Sequence, residues 1–502
     1  MLTETTLIRR ARTTAMISQA STEFVNKTEE NKVTMVEVGN EAGVKQVETG
    51  KKLVITKELL LSNWLMFCVV VMGMMVMPFH VLWARFQESR KRSLILAPRD
   101  HGKSMLLTIA FCVWHILKNS NIRILIISNS AGMAQNFLAA IKSHFERNTI
   151  LRALFGNLVG DVWNVENIIV RTRTAVGLKE PTVSTCGVFG SLISGHFDII
   201  IADDIVDFEN SRTKAMRDKV WDWFWMVLYP TLETSEIDPS KDGHMHLNGT
   251  RYHHDDLYGR LIGDVDRYRP AAYEGNWIRD QAIKEDTALW PERKSLVTLT
   301  KIKQDVGSII FALQYQNDAS LTIGRIFQLE YFANTYASLP DEHLLVAGYD
   351  LAVKEKEQHD YFAEVIIATD KKKNVYLVNA AHMRMSAPKQ YDRIKSSHET
   401  WKYTRCGVES VAYQEALPQW LRENTDVPVK SINRTKDKVT RAYKIQPLFE
   451  NGKFFMPAGK KFHDLTEEMT MFPDADHDDL FDALETAITT AQGGQFDFFF
   501  LD

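Results

Sequence analysis

Along most of this chain, short apolar runs end in polar turns and are followed by amphipathic stretches. Leu94-Ile95-Leu96 reads as a buried strand, Ala97 to His101 as a loop, and Gly102-Lys103-Ser104 as the opening of an apolar helix that reaches Leu117. Ile122–Ser128 is a second buried strand, after which Asn129-Ser130 caps a helix through Glu146. Strands alternating with helices in this way imply a parallel α/β sheet. Asn167–Arg173 and Thr182–Val188 are strand-like and predict a hairpin on the flank of that sheet, and Phe197–Asp204 is a further buried strand. From Arg269 to about Ser338 the pattern loosens, with a proline-punctuated turn at Asp286–Arg293 and an amphipathic stretch at Ser295–Val306, as a linker region would. Then Leu344–Asp350, Phe362–Thr369 and Val375–Asn379 predict three antiparallel strands. Arg405–Ser410 predicts another short strand with a helix through Leu421, and a final helix opens near Asp478-Asp479.

Composition narrows this only a little. With 502 residues, 45% hydrophobic and 25% charged, the chain is long enough for two or three ordinary folded domains. A net charge of −4 excludes a globally basic nucleic-acid coat, so any DNA contact must come from local patches. The cysteines (Cys68, Cys112, Cys186, Cys406) form no C-x-x-C pair, which argues against a disulfide framework or a zinc site and fits a reducing cytosol. Leu59–Ala84 is the most apolar run, but its unbroken core stops at Pro78, short of the roughly 20 residues a spanning helix needs. A buried helix packed on the first domain is expected there, with no membrane. No secretory signal is expected from Met-Leu-Thr-Glu-Thr-Thr. The expected organisation is a polar extension over 1–52, an α/β domain over 53–268, a linker region over 269–338, a second α/β domain over 339–494 and an aromatic tail over 495–502.

Chemistry enters at the strand ends. A strand, then Pro98-Arg99-Asp100-His101-Gly102-Lys103-Ser104, then a helix is the setting of a phosphate-binding loop, where backbone N–H groups and a helix start face an anion. Lys103 would reach the β- and γ-phosphates, and the Ser104 hydroxyl would hold Mg²⁺. Ala97 replaces the first glycine of the usual pattern. About a hundred residues on, the strand ending in Asp203-Asp204 supplies two carboxylates: Asp203 to hold Mg²⁺ through water, Asp204 to orient or deprotonate the attacking water. Asp207 and Glu209 belong to a solvated turn. Asn248-Gly249-Thr250-Arg251 is a polar strand end suited to sensing the γ-phosphate. In His253-His254-Asp255-Asp256, capping of a helix start competes with metal binding.

The second domain carries Asp350 and Glu409 at strand ends and Asp478-Asp479 at a helix start. Carboxylates from separated elements are what two-metal phosphodiester cleavage uses, with ions roughly 3.5–4 Å apart, and hard oxygen donors favour Mg²⁺ or Mn²⁺. Asp360, Asp476 and Asp482 are expected to play lesser parts. The basic run Asn433–Lys444 is expected to contact DNA phosphates.

Taken together, Ala97–Ser104, Asp203-Asp204, Gly249–Tyr252, Leu289–Arg293, Tyr315–Asn317 and the acids Asp350, Glu409 and His477–Asp479 resemble the large terminase subunit of tailed bacteriophages. The resemblance covers roughly Phe79 to Ile488. It implies a P-loop NTPase domain followed by a ribonuclease-H-like nuclease domain, with ATP hydrolysis driving double-stranded DNA into a procapsid and a nuclease cutting concatemers. It further implies a homo-oligomeric ring, a portal protein and a small terminase subunit as partners, and a place in the host cytoplasm, transiently at the portal and not in the mature virion. By the same resemblance Arg99 contacts the γ-phosphate, Thr250 and Arg251 form the coupling motif, and Asp204 stands where many relatives carry glutamate. The aromatic Gln495–Asp502 tail suggests docking onto the protein's own core or onto a portal. The competing readings are a helicase-like ATPase–nuclease of repair or recombination, a structural ring subunit with a degenerate ATPase, and a membrane-tethered ATPase.

Overall fold

Arg92–Leu96 (β1), Ile124–Ser128 (β2) and Ile199–Asp203 (β5) are almost wholly buried, as aliphatic runs flanked by polar turns must be when both faces of a sheet are covered. The structure, a computed structural model, describes residues 56–493 apart from 193–194, 235–236, 239–241, 266–269, 271–272, 323, 352–360, 410–415, 435–436, 461, 474 and 476. The N-terminal extension, the C-terminal tail, Asp360 and Asp476 therefore lie outside the described residues. The chain divides into two compact units, Met1–Leu299 with Leu313–Ala319, and Thr300–Ala312 with Ser320–Asp502.

The sheet of the first unit is completed by Asn167–Ile168 (β3), Val183–Gly187 (β4), His244–Gly249 (β6) and Trp277–Arg279 (β7), in the order β3-β4-β2-β5-β6-β1-β7. Every neighbouring pair is parallel except β3 with β4, the flanking hairpin that the strand pattern predicts. Because β6 lies between β5 and β1, the C-terminal ends of these three strands open side by side. In a parallel sheet that edge is where ligands collect.

Two expectations need correction. The apolar run Leu59–Ala84 is not one helix but three short ones, Lys57–Ser62, Trp64–Val70 and Pro78–Glu88. Asn63 caps the second by accepting from the Met66 N–H at 2.9 Å, and Gly73 turns the chain before Pro78 opens the third. Trp64 and Phe67 are buried in the core, Trp64 edge-on to Phe111 at 5.0 Å. Among the described residues no helix is long and apolar enough to cross a membrane. The looser region after Arg269 is also not simply a linker. β7 adds to the edge of the first sheet beside β1, Ile283–Lys284 (β8) and Thr287–Ala288 (β9) form a hairpin, and Trp290 is buried, so the first unit extends to Leu299. Strands of two or three residues leave too little periodicity to be recognised.

In the second unit Leu344–Asp350 (β11), Phe362–Thr369 (β12) and Val375–Met383 (β13) are antiparallel, as the run lengths predict. Thr335–Tyr336 (β10), Arg405–Glu409 (β14), Val429–Ile432 (β15) and Phe454–Pro457 (β16) complete the order β10-β16-β13-β12-β11-β14-β15. β14 runs parallel to β11, so Asp350 and Glu409 end on the same edge. The helix Asp479–Ala491 is almost entirely buried and lies directly on this sheet. Close approach requires Gly348: a Cβ there would run into the backbone of Ala483 and Ala487.

Candidate functional site

The phosphate loop leaves β1 at Ala97, which is fully buried and donates its N–H to the Gly249 carbonyl at 3.1 Å. Ala97 thus continues the strand pairing, and its φ is not among the positive ones, so glycine is not required there. The backbone turns later, at Asp100 (φ 64) and Gly102 (φ 80). Gly102 has both reasons to be glycine, since a Cβ would also stand 3.1 Å from His80 Nε2. Side chains of the loop hold its shape from outside. Asp100 pairs with Lys294 at 3.0 Å, His101 Nδ1 lies 2.8 Å from the Arg99 carbonyl, and His80 Nε2 lies 2.8 Å from the His101 carbonyl. Burial pushes His80 down to about 4, so it is neutral; with Nδ1 accepting from the Met77 N–H, Nε2 is the donor to the loop. Trp290 closes on His80 edge-on at 5.0 Å. The side chains of Asp100 and His101 are thus engaged in holding the loop, while those of Arg99, Lys103 and Ser104 turn to other partners.

Lys103 Nζ meets Asp204 Oδ2 at 2.6 Å, and Ser104 Oγ donates to Asp203 Oδ1 at 3.1 Å. Thr108, one helical turn beyond Ser104 and not singled out from sequence, donates its hydroxyl to the other Asp203 oxygen. Asp204 has left-handed backbone (φ 49), and its N–H donates to the Asn248 carbonyl at 2.8 Å, which turns its carboxylate out of the strand toward Lys103. Asp203 is fully buried; burial first and the Asp204 charge second hold its carboxyl above the ordinary range. Asn248 stands opposite Asp203 in the strand register and is also fully buried. Among the described residues neither end of its amide has a hydrogen-bond partner. A destabilised buried carboxylate, two hydroxyls and an unsatisfied amide are oxygen-rich donors that suit Mg²⁺ and its waters. Tyr252, the last residue of the Gly249–Tyr252 motif, lies close enough to feel the charges of Asp204 and Arg99, and its hydroxyl hydrogen-bonds Thr250.

Arg251 has its donors committed within the first unit. It is fully buried, with Nε 3.1 Å from Asp256 Oδ1, Nη1 2.6 Å from Asp264, and Nη2 donating to the carbonyls of His253 and His254 at 3.2 and 3.0 Å. A guanidinium so committed braces the strand end. Thr250, at the end of β6, is buried at the same edge as Asp203. The His-His-Asp-Asp run is structural as well. Asp256 caps Leu257–Ile262, accepting from the Gly259 N–H at 2.7 Å, and Asp255 holds Arg260 at 2.8 Å. Asp207 caps Phe208–Ser211, so it is more than a solvated turn.

In the second unit the basic run converges on Asp482. That residue is 3% exposed and lies one turn into the final helix, where Arg434, Lys438 and Arg441 reach it at 2.7, 2.8 and 2.8 Å. Burial alone would raise its carboxyl, but these three cations outweigh burial and hold it below the ordinary range. Arg434 also reaches Glu409 at 3.2 Å, and Lys438 reaches Asp478 at 2.5 Å. The basic run expected to contact DNA thus spends Arg434, Lys438 and Arg441 inside the acid cluster. Asp350 sits on the other side of the balance: burial, then Asp482, with Glu409 and Asp479 adding, push its carboxyl well above the ordinary range against the pull of Arg434. Among the described residues no three acids or histidines stand together as a ready ligand set. The repulsion at Asp350 is nonetheless what a divalent cation relieves, and the donors are the hard oxygens Mg²⁺ and Mn²⁺ take.

Comparison with known proteins adds to this geometry. Residues 347–490 match the family model described as the terminase RNaseH-like domain. The large terminase subunit of Enterobacteria phage T3 is 32% identical over 133 residues, 26% of this chain. That match spans only 22% of the T3 protein's length. Among solved structures, the large terminase of a thermophilic bacteriophage in complex with ADP aligns with a TM-score of 0.48 at 9% identity, over 82% of this chain and 98% of that one. The large terminase nuclease of thermophilic phage G20c with bound magnesium aligns with a TM-score of 0.27 at 14% identity, over 33% of this chain and 97% of that one. Residues 347–490 are thus similar to a terminase RNaseH-like domain, and the likeness of the chain is to the large terminase subunits of bacteriophages.

Proposed function

We propose that this chain is the motor subunit of a viral DNA-packaging machine, hydrolysing ATP to move double-stranded DNA into a procapsid and cutting concatemeric DNA with its second unit. One observation carries the reading: Lys103, Ser104 and the Asp203-Asp204 pair meet within hydrogen-bond distance at one sheet edge, in the same chain as a region similar to a terminase RNaseH-like domain.

In the first unit the loop N–H groups and Lys103 receive the β- and γ-phosphates. Ser104 and Asp203 would hold Mg²⁺, which would supply positive charge against the phosphate oxygens. Lys103 exchanges Asp204 for the nucleotide, which frees the Asp204 carboxylate to orient the attacking water and take its proton. Arg99 places a second fixed charge at the terminal phosphate. Asn248, on the strand beside Asp203, and Thr250, just past its end, register whether that phosphate is present.

In the second unit Asp350, Glu409 and Asp479 would hold divalent ions, Mg²⁺ or Mn²⁺, whose positive charge would serve hydrolysis of the DNA phosphodiester. Arg434 and Lys438 hold Asp482 and Asp478 in place and limit the repulsion among the acids. Partners on this reading are DNA, a portal protein, a small terminase subunit and further copies of the chain in a ring, in the host cytoplasm and transiently at the portal.

ATP-dependent protection of DNA inside procapsids, assayed beside plasmid nicking with Mg²⁺ and Mn²⁺, tests the reading. Packaging together with metal-dependent nicking is expected. Strand separation by a chain that packages nothing would instead favour a repair helicase–nuclease.

A further inference from the structure

Residues 313–319 return to the first unit between two stretches of the second, and their polar groups are committed to the nucleotide half. The Arg99 N–H donates to the Gln314 carbonyl at 2.9 Å, and Arg99 Nη1 donates to Gln314 Oε1 at 3.1 Å. Gln314 is 4% exposed. The residues that follow fix it in place. The Tyr315 carbonyl accepts from the Ala282 N–H at 2.7 Å, and the Gln316 amide makes a two-way bridge to the backbone of Ile283 at 2.9 and 2.8 Å. Asn317, fully buried with φ 50, donates to the Asp280 carbonyl at 2.9 Å and accepts from the Arg251 N–H at 3.3 Å. One short strap thus touches both the arginine of the phosphate loop and the end of the strand that neighbours Asp203.

The geometry points to Gln314 as a positioning residue for Arg99, an inference that rests on the nucleotide reading given above. An arginine side chain has many rotamers and five donors, and charge stabilisation at a phosphate requires it to be aimed beforehand. Gln314 does this twice over, pinning the Arg99 backbone with its carbonyl and directing the guanidinium with its side-chain oxygen. The residue acts through Arg99, and its effect falls on turnover more than on nucleotide affinity.

The test is steady-state ATP hydrolysis by the full chain carrying Gln314→Met, which keeps the volume and removes the acceptor. A roughly tenfold loss in kcat is expected, with KM for ATP changed less than about threefold. Gln314→Glu, which keeps an acceptor, is expected to stay within about threefold of wild type. Gln314→Asn withdraws the acceptor by one methylene and is the second variant should the methionine chain fail to fold; it is expected to lose kcat likewise. In an Arg99→Ala background Gln314→Met should add no further loss. Wild-type kcat in Gln314→Met, or an undiminished extra loss in the Arg99→Ala background, would overturn the inference. A wild-type chain without Lys103-dependent turnover would overturn the nucleotide reading and this inference together.

Discussion

Replacing Asp482 by asparagine keeps the shape of the side chain and removes the charge on which Arg434, Lys438 and Arg441 converge. Removing one partner from a buried ion pair costs about 3–5 kcal/mol, because the other charge is left in low dielectric. The structure trims that figure. Glu485 still reaches Arg441 at 2.7 Å and Arg434 at 3.4 Å, while the Lys438 side chain is 43% exposed, so its share is screened. About 2–4 kcal/mol remains for Asp482→Asn. In a unit of this size each kcal/mol moves the melting midpoint by roughly 2–4 °C, so the second unit should melt roughly 4–16 °C lower in calorimetry of the full chain. Because the cluster is buried, the loss should persist in about 0.5 M salt. The same chemical change at Asp350 should act in the opposite sense. Burial and its acidic neighbours already disfavour that carboxylate, so Asp350→Asn should gain about 1 kcal/mol while abolishing metal-dependent cutting. Shifts of the same sign at both positions, or an unchanged midpoint for Asp482→Asn, would refute this account of the cluster.

Glu468 accepts from the Phe481 N–H at 2.6 Å, and burial pushes its carboxyl up to about 8. Its folded value lies above the unfolded one, so the neutral acid is favoured in the fold and stability falls as pH rises from about 4.5 through about 8. The fall is on the order of a few kcal/mol, and denaturant midpoints at pH 5 and 8 should converge for Glu468→Gln if it arises here. Gly348→Ala forces a Cβ into the backbone of the final helix and should cost more than about 3 kcal/mol; an alanine variant with a wild-type melting curve would contradict that packing.

Much of the fold was legible because strand ends combine two strong signals. Phe197–Asp204 and Leu344–Asp350 each join an apolar run to a carboxylate, and both residues lie where parallel or antiparallel pairing brings them to a sheet edge. What escaped is long-range or lacks periodicity. Gln314 lies 215 residues from Arg99, and no local pattern links them. Thr108 looks like one more position on an apolar helix. The charges of Arg434, Lys438 and Arg441 read as DNA-phosphate contacts until folding places them against Asp482, three residues past Asp479 in the helix. Arg251 likewise reads only as part of a polar strand end until Asp256 and Asp264 are seen to enclose it. In each case a residue's partner, not its type, decides its role.

The central claim is that one chain holds two independent phosphate chemistries. It is tested most directly by measuring ATP hydrolysis and Mg²⁺- or Mn²⁺-dependent plasmid nicking side by side in Lys103→Ala and Asp350→Ala. The account predicts that Lys103→Ala loses ATP hydrolysis and retains nicking, and that Asp350→Ala does the reverse. Loss of both activities in either variant, with folding intact by circular dichroism, would contradict it.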